Sequence, residues 1–190
     1  DITTYASYVN SIGGNIRLEV GEQDSLTYIA AEKLFMRGDN DGARRSLINY
    51  LQTFPEGAFS SNANFYLGSI AFAKKEFDEA IQRFKSVIAS GDTKFLEESV
   101  ARTAEIEYLS KDYPAALESF KRLQIVAENP ENRQAARLGI MRCALQTGQQ
   151  KDALLAADEL LKEPKLSPEL EAEARYVRAK AYIAQKQANK

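Results

Sequence analysis

The chain has 190 residues, and its 25 Lys plus Arg stand against 27 Asp plus Glu, for a net charge of −2 and a pI near 5.4. The absence of His and the single cysteine, Cys143, exclude Ser-His and Cys-His nucleophile pairs, imidazole metal sites, internal disulfides and thiolate zinc clusters. Near-balanced charge offers no long-range field for nucleic acid, and no apolar run approaches the ~18 residues of a membrane span.

The chain opens on Asp1 with neither Met nor a signal-peptide pattern, which reads as an excised or processed piece. Residues 1–23 read as a linker or the end of a preceding domain. Within them Gly13-Gly14 is a breaker, and Ile16, Leu18 and Val20 alternate with polar residues as a short strand would. From Asp24 onward helix formers run almost unbroken. Four turn-like segments recur, each closing on an alanine: Ala43, Ala80, Ala116 and Ala153, spaced by 37, 36 and 37 residues. Such spacing marks an internal repeat.

Each unit reads as two amphipathic helices joined by that short turn. In the second, Phe65, Leu67, Ile70, Ala71 and Phe72 form one apolar stripe, and Ala80, Ile81, Phe84, Val87 and Ile88 form the other. Asp39 and Asp112 stand at N-cap positions, and Gly38 and Gly148 suit the preceding turn. Asp92-Thr93, Pro130-Glu131 and Ser167-Pro168 mark further helix starts.

The pattern Leu67-Gly68, Ala71, Phe77, Ala80, Phe84 resembles the tetratricopeptide repeat, a helix-turn-helix unit. Ala30-Ala31 with Ala43 and Pro55, Ala104 with Tyr113 and Ala116, and Met141 with Gly148 and Ala153 give weaker copies. Glu107 departs from it, standing where a small or aromatic residue is usual. The resemblance implies an all-α right-handed superhelix over 24–190, with units at about 24–60, 61–96, 97–133 and 134–171 and a half repeat at 172–190. That last helix, ending at Asn189-Lys190 without a partner helix, leads to the expectation that the natural chain continues. The run from Tyr50 to Gly68, with Phe54-Pro55 and Tyr66-Leu67-Gly68, is similar to a junction in bacterial envelope repeat proteins. These are the Tol-Pal-associated cell-division coordinator and the outer-membrane assembly lipoprotein, and the similarity implies a periplasmic or cell-envelope adaptor.

Carboxylate pairs are the remaining catalytic candidates, and Glu105 and Glu107, two apart on a helix, diverge. Cys143 falls on an apolar stripe and reads as a buried, inert thiol. Neither a phosphate-cradling glycine loop nor a cofactor motif is present, so no cofactor or metal is expected. The resemblance places partner contacts on the first helix of each pair: Tyr28, Glu32, Phe35 and Met36; Asn62, Phe65, Ser69 and Phe72; Glu98, Ala101, Glu105, Tyr108 and Leu109; Leu138, Arg142 and Leu145; then Tyr176 and Lys180. The implied groove is aromatic at one end, acidic in the middle and more basic toward the C-terminus. A clamp for a peptide C-terminal carboxylate is not expected, because Ile29, Tyr66 and Glu98 stand where its donors would be. The expected function is a non-enzymatic scaffold or adaptor binding a protein or peptide segment in the groove, without nucleic acid, membrane insertion or small-molecule substrate. A purely architectural spacer, or an accessory domain of an enzyme whose active site lies elsewhere, are the alternatives, and the oligomeric state is left open.

Overall fold

The computed structural model describes Tyr8, Ser11, residues 20–91 and residues 94–188. Gly13-Gly14, Ile16, Leu18 and the Asp92-Thr93 helix start lie outside the described residues. Val20, the last member of the strand-like alternation, instead opens a helix whose first turn carries Glu22, a charge favoured at that end of the helix dipole. Among the described residues there is no strand.

The chain forms two compact units, Asp1–Ser90 and Gly91–Lys190. The first contains α1 (Val20–Met36), α2 (Asn40–Thr53), α3 (Ser60–Ala73) and α4 (Phe77–Ser90). The second contains α5 (Leu96–Leu109), α6 (Tyr113–Val126), α7 (Pro130–Gln146), α8 (Gln150–Leu160) and α9 (Pro168–Ala188). Within each unit every helix packs on the next, and α1 also meets α3, α5 meets α7 and α7 meets α9. This is an all-α helical repeat.

The turn within each pair hinges on one left-handed residue: Gly38 (φ 80°), Lys75 (φ 60°), Lys111 (φ 62°) and Gly148 (φ 74°). In two of these turns a lysine accepts a conformation that suits glycine. The reward is a doubled return of amides onto the end of the helix. Lys75 N–H donates to Phe72 O at 2.9 Å and Glu76 N–H to Ala71 O at 2.9 Å; Lys111 and Asp112 do the same to Tyr108 O at 3.0 Å and Glu107 O at 2.9 Å. The residue that closes the turn then opens the next helix. Asp39 accepts from Gly42 N–H at 2.9 Å and Asp112 from Ala115 N–H at 3.3 Å, as the cap positions required.

Small residues set the distance between paired helices. Ala43, Ala80, Ala116 and Ala153 are all fully buried. A Cβ added to Gly68 would lie 2.8 Å from Cε1 of Phe84, so the Phe84 ring occupies the space a side chain would need. Glu107, the departure from the repeat pattern, is buried, and its Oε2 accepts a 2.5 Å hydrogen bond from Ser119 Oγ across the α5–α6 pair.

Two opposite changes in stability follow. Gly68→Ala overfills the α3–α4 contact and is expected to lower stability by ~1–3 kcal/mol in urea unfolding followed by circular dichroism. Lys111→Gly relieves the left-handed turn and is expected to raise it by up to about 1 kcal/mol in the same measurement.

Candidate functional site

Equivalent helix pairs in the two units treat the same inner face differently. Between α1 and α3 the face is filled by the unit's own rings. Tyr28 is only 2% exposed; it stacks on Phe59 with centroids 4.4 Å apart and donates to Glu32 Oε1 at 2.5 Å. Tyr66 donates to the same oxygen at 3.0 Å, and Asn62 Nδ2 donates to Tyr28 Oη at 3.2 Å. Phe35 lies against Tyr66 at 4.5 Å, and Phe65 meets Tyr66 edge-on at 5.8 Å. Burial, and then the hydrogen bond to Glu32, drive the Tyr28 phenol pKa far up, so it remains a neutral donor. Tyr28 and Glu32, expected as partner contacts, here contact each other, and Phe35 and Phe65, also expected there, each lie against Tyr66.

Two repeats further on, Ala101 stands where Tyr28 does, Ala135 where Asn62 does, and Gly139 where Tyr66 does. Removing those side chains opens a groove of about 380 Å³ between α5 and α7. Its apolar lining includes Ala101, Tyr108, Leu109, Phe120, Leu123, Ala135, Leu138 and Gly139, with Glu98, Arg102, Glu105, Asn132 and Arg142 among them. Gly139 is required for more than its absence of bulk: a Cβ there would lie 2.4 Å from the Phe120 ring, which fills the floor. Tyr108 meets Phe120 edge-on at 6.4 Å, and Leu109 stands 54% exposed at the margin.

The rim charges are arranged internally. Arg102 bridges Glu98 (Nε to Oε1, 2.8 Å) and Glu105 (Nη1 to Oε2, 3.0 Å), one cation between two carboxylates. Arg142 donates to both oxygens of Glu173 on α9, at 2.7 Å each. That fork holds Glu173 below the ordinary carboxylate range and raises Arg142, so the pair stays ionised. The expected basic trend toward the C-terminus is therefore corrected at Arg142, whose charge is spent on Glu173. Glu97 ties the groove wall: it accepts from Glu128 N–H (2.9 Å), Asn129 N–H (3.1 Å) and Asn132 Nδ2 (2.7 Å), fixing the entry to α7. Burial pushes its pKa up, but the three donors together outweigh burial and hold it below the usual value.

Residues 30–93 match the family model of the tetratricopeptide repeat. No curated protein sequence matches the chain. Among solved structures the chain is similar to YrrB, described as a tetratricopeptide-repeat protein with an unusual peptide-binding site, at TM-score 0.64 and 18% identity over 84% of this chain and 76% of YrrB. A tetratricopeptide repeat protein from Parabacteroides merdae gives TM-score 0.64 and 18% identity, covering 84% of this chain and 60% of that one. MamA gives 0.62 and 18%, covering 89% of this chain and 91% of MamA. The fold is the tetratricopeptide-repeat fold.

Of the sequence-derived contacts, Glu105, Tyr108, Leu138 and Arg142 come together in the α5–α7 groove, with Glu98, Ala101 and Leu109. Phe72 lies apart, half-buried with its ring 6.1 Å from Phe77. Tyr176 is 61% exposed on α9 with Lys180 Nζ 5.7 Å from its ring centre. Sequence reasoning missed Phe120, Ala135 and Gly139 as groove residues; aligning the two halves of the chain at a two-repeat shift would have exposed the loss of Tyr28 and Tyr66. Glu105 is exposed and Glu107 buried, so the two carboxylates face apart as expected. Cys143 is buried, and burial raises its thiol to about 11, which keeps it protonated at neutral pH. Among the described residues no group of three or more His, Cys, Asp or Glu is placed to hold a metal, and no helix is long and apolar enough to cross a membrane.

Because the folded-state pKa of Glu97 lies below its unfolded value, its contribution to stability is present above the ordinary carboxylate pKa and is lost as pH falls through the lowered one. The urea midpoint is expected to drop between about pH 7 and about pH 3, and Glu97→Gln to lower it at about pH 7 while narrowing the difference between the two.

Proposed function

We propose that the chain is a non-enzymatic scaffold that holds a segment of a partner protein in the groove between α5 and α7. The carrying observation is the contrast between equivalent inner faces: packed with tyrosine and phenylalanine between α1 and α3, open over an apolar floor between α5 and α7. Open apolar space with a few polar groups around it is the usual form of a recognition site. Tyr108 and Leu138 supply contact area and Glu105 and Arg142 flank it, while Tyr28, Glu32, Phe35 and Phe65 serve as packing within the first unit. The peptide-binding site for which YrrB is described gives the same fold a precedent in this role. A cell-envelope setting belongs to the same reading and rests on the resemblance of the Tyr50–Gly68 junction.

The spacer reading has its own support in the filled inner face of α1 and α3, and it is assigned to that unit. Ala135 is exposed on the groove wall, so Ala135→Trp fills the groove without entering the core. In an affinity capture from native lysate, a protein retained by the parent and lost with Ala135→Trp is the expected result, with matched helicity by circular dichroism. Equal capture by both, or no capture by the parent, overturns the groove reading.

A further inference from the structure

Resting on that reading, we infer that the α5–α7 groove selects a partner segment carrying one aromatic or leucine anchor flanked by Lys or Arg. The anchor follows from the floor. Phe120, Leu123, Leu138 and Gly139 line it with carbon; the Phe120 ring takes the space beside Gly139, and the opening lies at Ala101, where the first unit carries Tyr28. A side chain of that size entering from outside restores the packing that the sequence has removed.

The basic flanks follow from the charges. Glu98 and Glu105 share the single cation Arg102, leaving a surplus negative charge on the α5 rim, with all three side chains well exposed to solvent. The other groove cation, Arg142, is held by both oxygens of Glu173. An acidic segment would meet two carboxylates and would have to draw Arg142 away from an ionised partner. A basic segment meets the surplus directly and leaves both internal arrangements intact. Such rim pairs are screened by salt, so they set selectivity while the buried anchor carries most of the affinity.

The test is selection from a displayed library of random dodecapeptides, run in parallel on the full chain, on the double variant Glu98→Gln/Glu105→Gln and on Ala135→Trp. The expected outcome is enrichment on the parent of sequences with an aromatic or leucine beside Lys or Arg. The basic bias, not the apolar anchor, should disappear on the double variant, and all enrichment on Ala135→Trp. A synthetic peptide taken from the winners should bind the double variant about three- to tenfold more weakly at low ionic strength, and the difference should shrink as salt is added. Enrichment of acidic or charge-neutral sequences that is still abolished by Ala135→Trp overturns the basic-flank inference and leaves the groove reading standing. Enrichment that survives Ala135→Trp, or none on the parent, overturns both.

Discussion

A single backbone conformation sets the register of every helix pair. Gly38, Lys75, Lys111 and Gly148 each turn the chain through positive φ at the same point of the repeat, and the closing alanine lies at the same interval beyond each. The turn returns two amides to the end of one helix in the first three pairs, and one, from Gln149 to Ala144 O, in the fourth. It hands the next residue over as the start of the other helix, so the second helix has little freedom in its direction. Once that direction is set, Ala43, Ala80, Ala116 and Ala153 must face the partner helix, and only a small side chain lets the axes approach. Two of the four hinges tolerate lysine. The strain of a left-handed lysine is therefore smaller than what the turn gains by satisfying the helix end.

A second repeat position ties each pair to the loop that follows it, and here the chemistry varies while the place does not. Asp24 accepts from Tyr50 Oη at 2.5 Å and from Ala58 N–H at 2.8 Å; Ser61 and Ser90 hydroxyls lie 3.1 Å apart. Glu97 takes two backbone amides and Asn132, and Gln134 donates to Glu163 at 2.6 Å. All four sit in the early part of the first helix and reach toward the linker between repeats. The Tyr50–Gly68 junction is one instance of this device: Tyr50 Oη also accepts from Phe59 N–H at 3.0 Å, and a Cβ on Gly57 would lie 2.5 Å from that oxygen. Burial and the bond to Asp24 push the Tyr50 phenol up to about 12, which keeps it a donor. The residues of that junction thus have a structural task in the linker, separate from any contact with a partner.

Those features that repeat were legible in the sequence, because repetition multiplies weak local signals. The helix pairs, the caps at Asp39 and Asp112, the starts at Pro130 and Pro168 and the burial of Cys143 all followed from spacing and residue type. Two kinds of fact did not. The first is commitment: Arg142 reads as a free cation until Glu173, on another helix, is seen to hold it. The second is vacancy. Ala101 and Ala135 are unremarkable helix residues on their own, and their meaning lies in what their counterparts Tyr28 and Asn62 fill elsewhere. Tyr28 errs in the opposite direction, since an aromatic at a groove position looks available until Phe59, Glu32 and Asn62 are found around it.

The two units are thus one backbone plan with two side-chain solutions, and the difference is energetic as well as geometric. Between α1 and α3 three hydrogen bonds join Tyr28, Tyr66 and Asn62 around Glu32, and the rings exclude water from one another, so that face has already buried its apolar area on folding. Between α5 and α7 the Phe120 floor is also largely buried, but a groove stays open at Ala101 and Ala135, and the surrounding charges are fixed by Arg102 and by the Arg142–Glu173 fork. A ligand entering there finds its polar surroundings already ordered and has mainly its own anchor to immobilise. Burying one large apolar side chain contributes ~1.5–3 kcal/mol, and preorganised walls allow more of that gain to appear as affinity. The sequence substitutions that open the groove remove contacts the first unit keeps for itself, and a partner's side chain is what would supply them again.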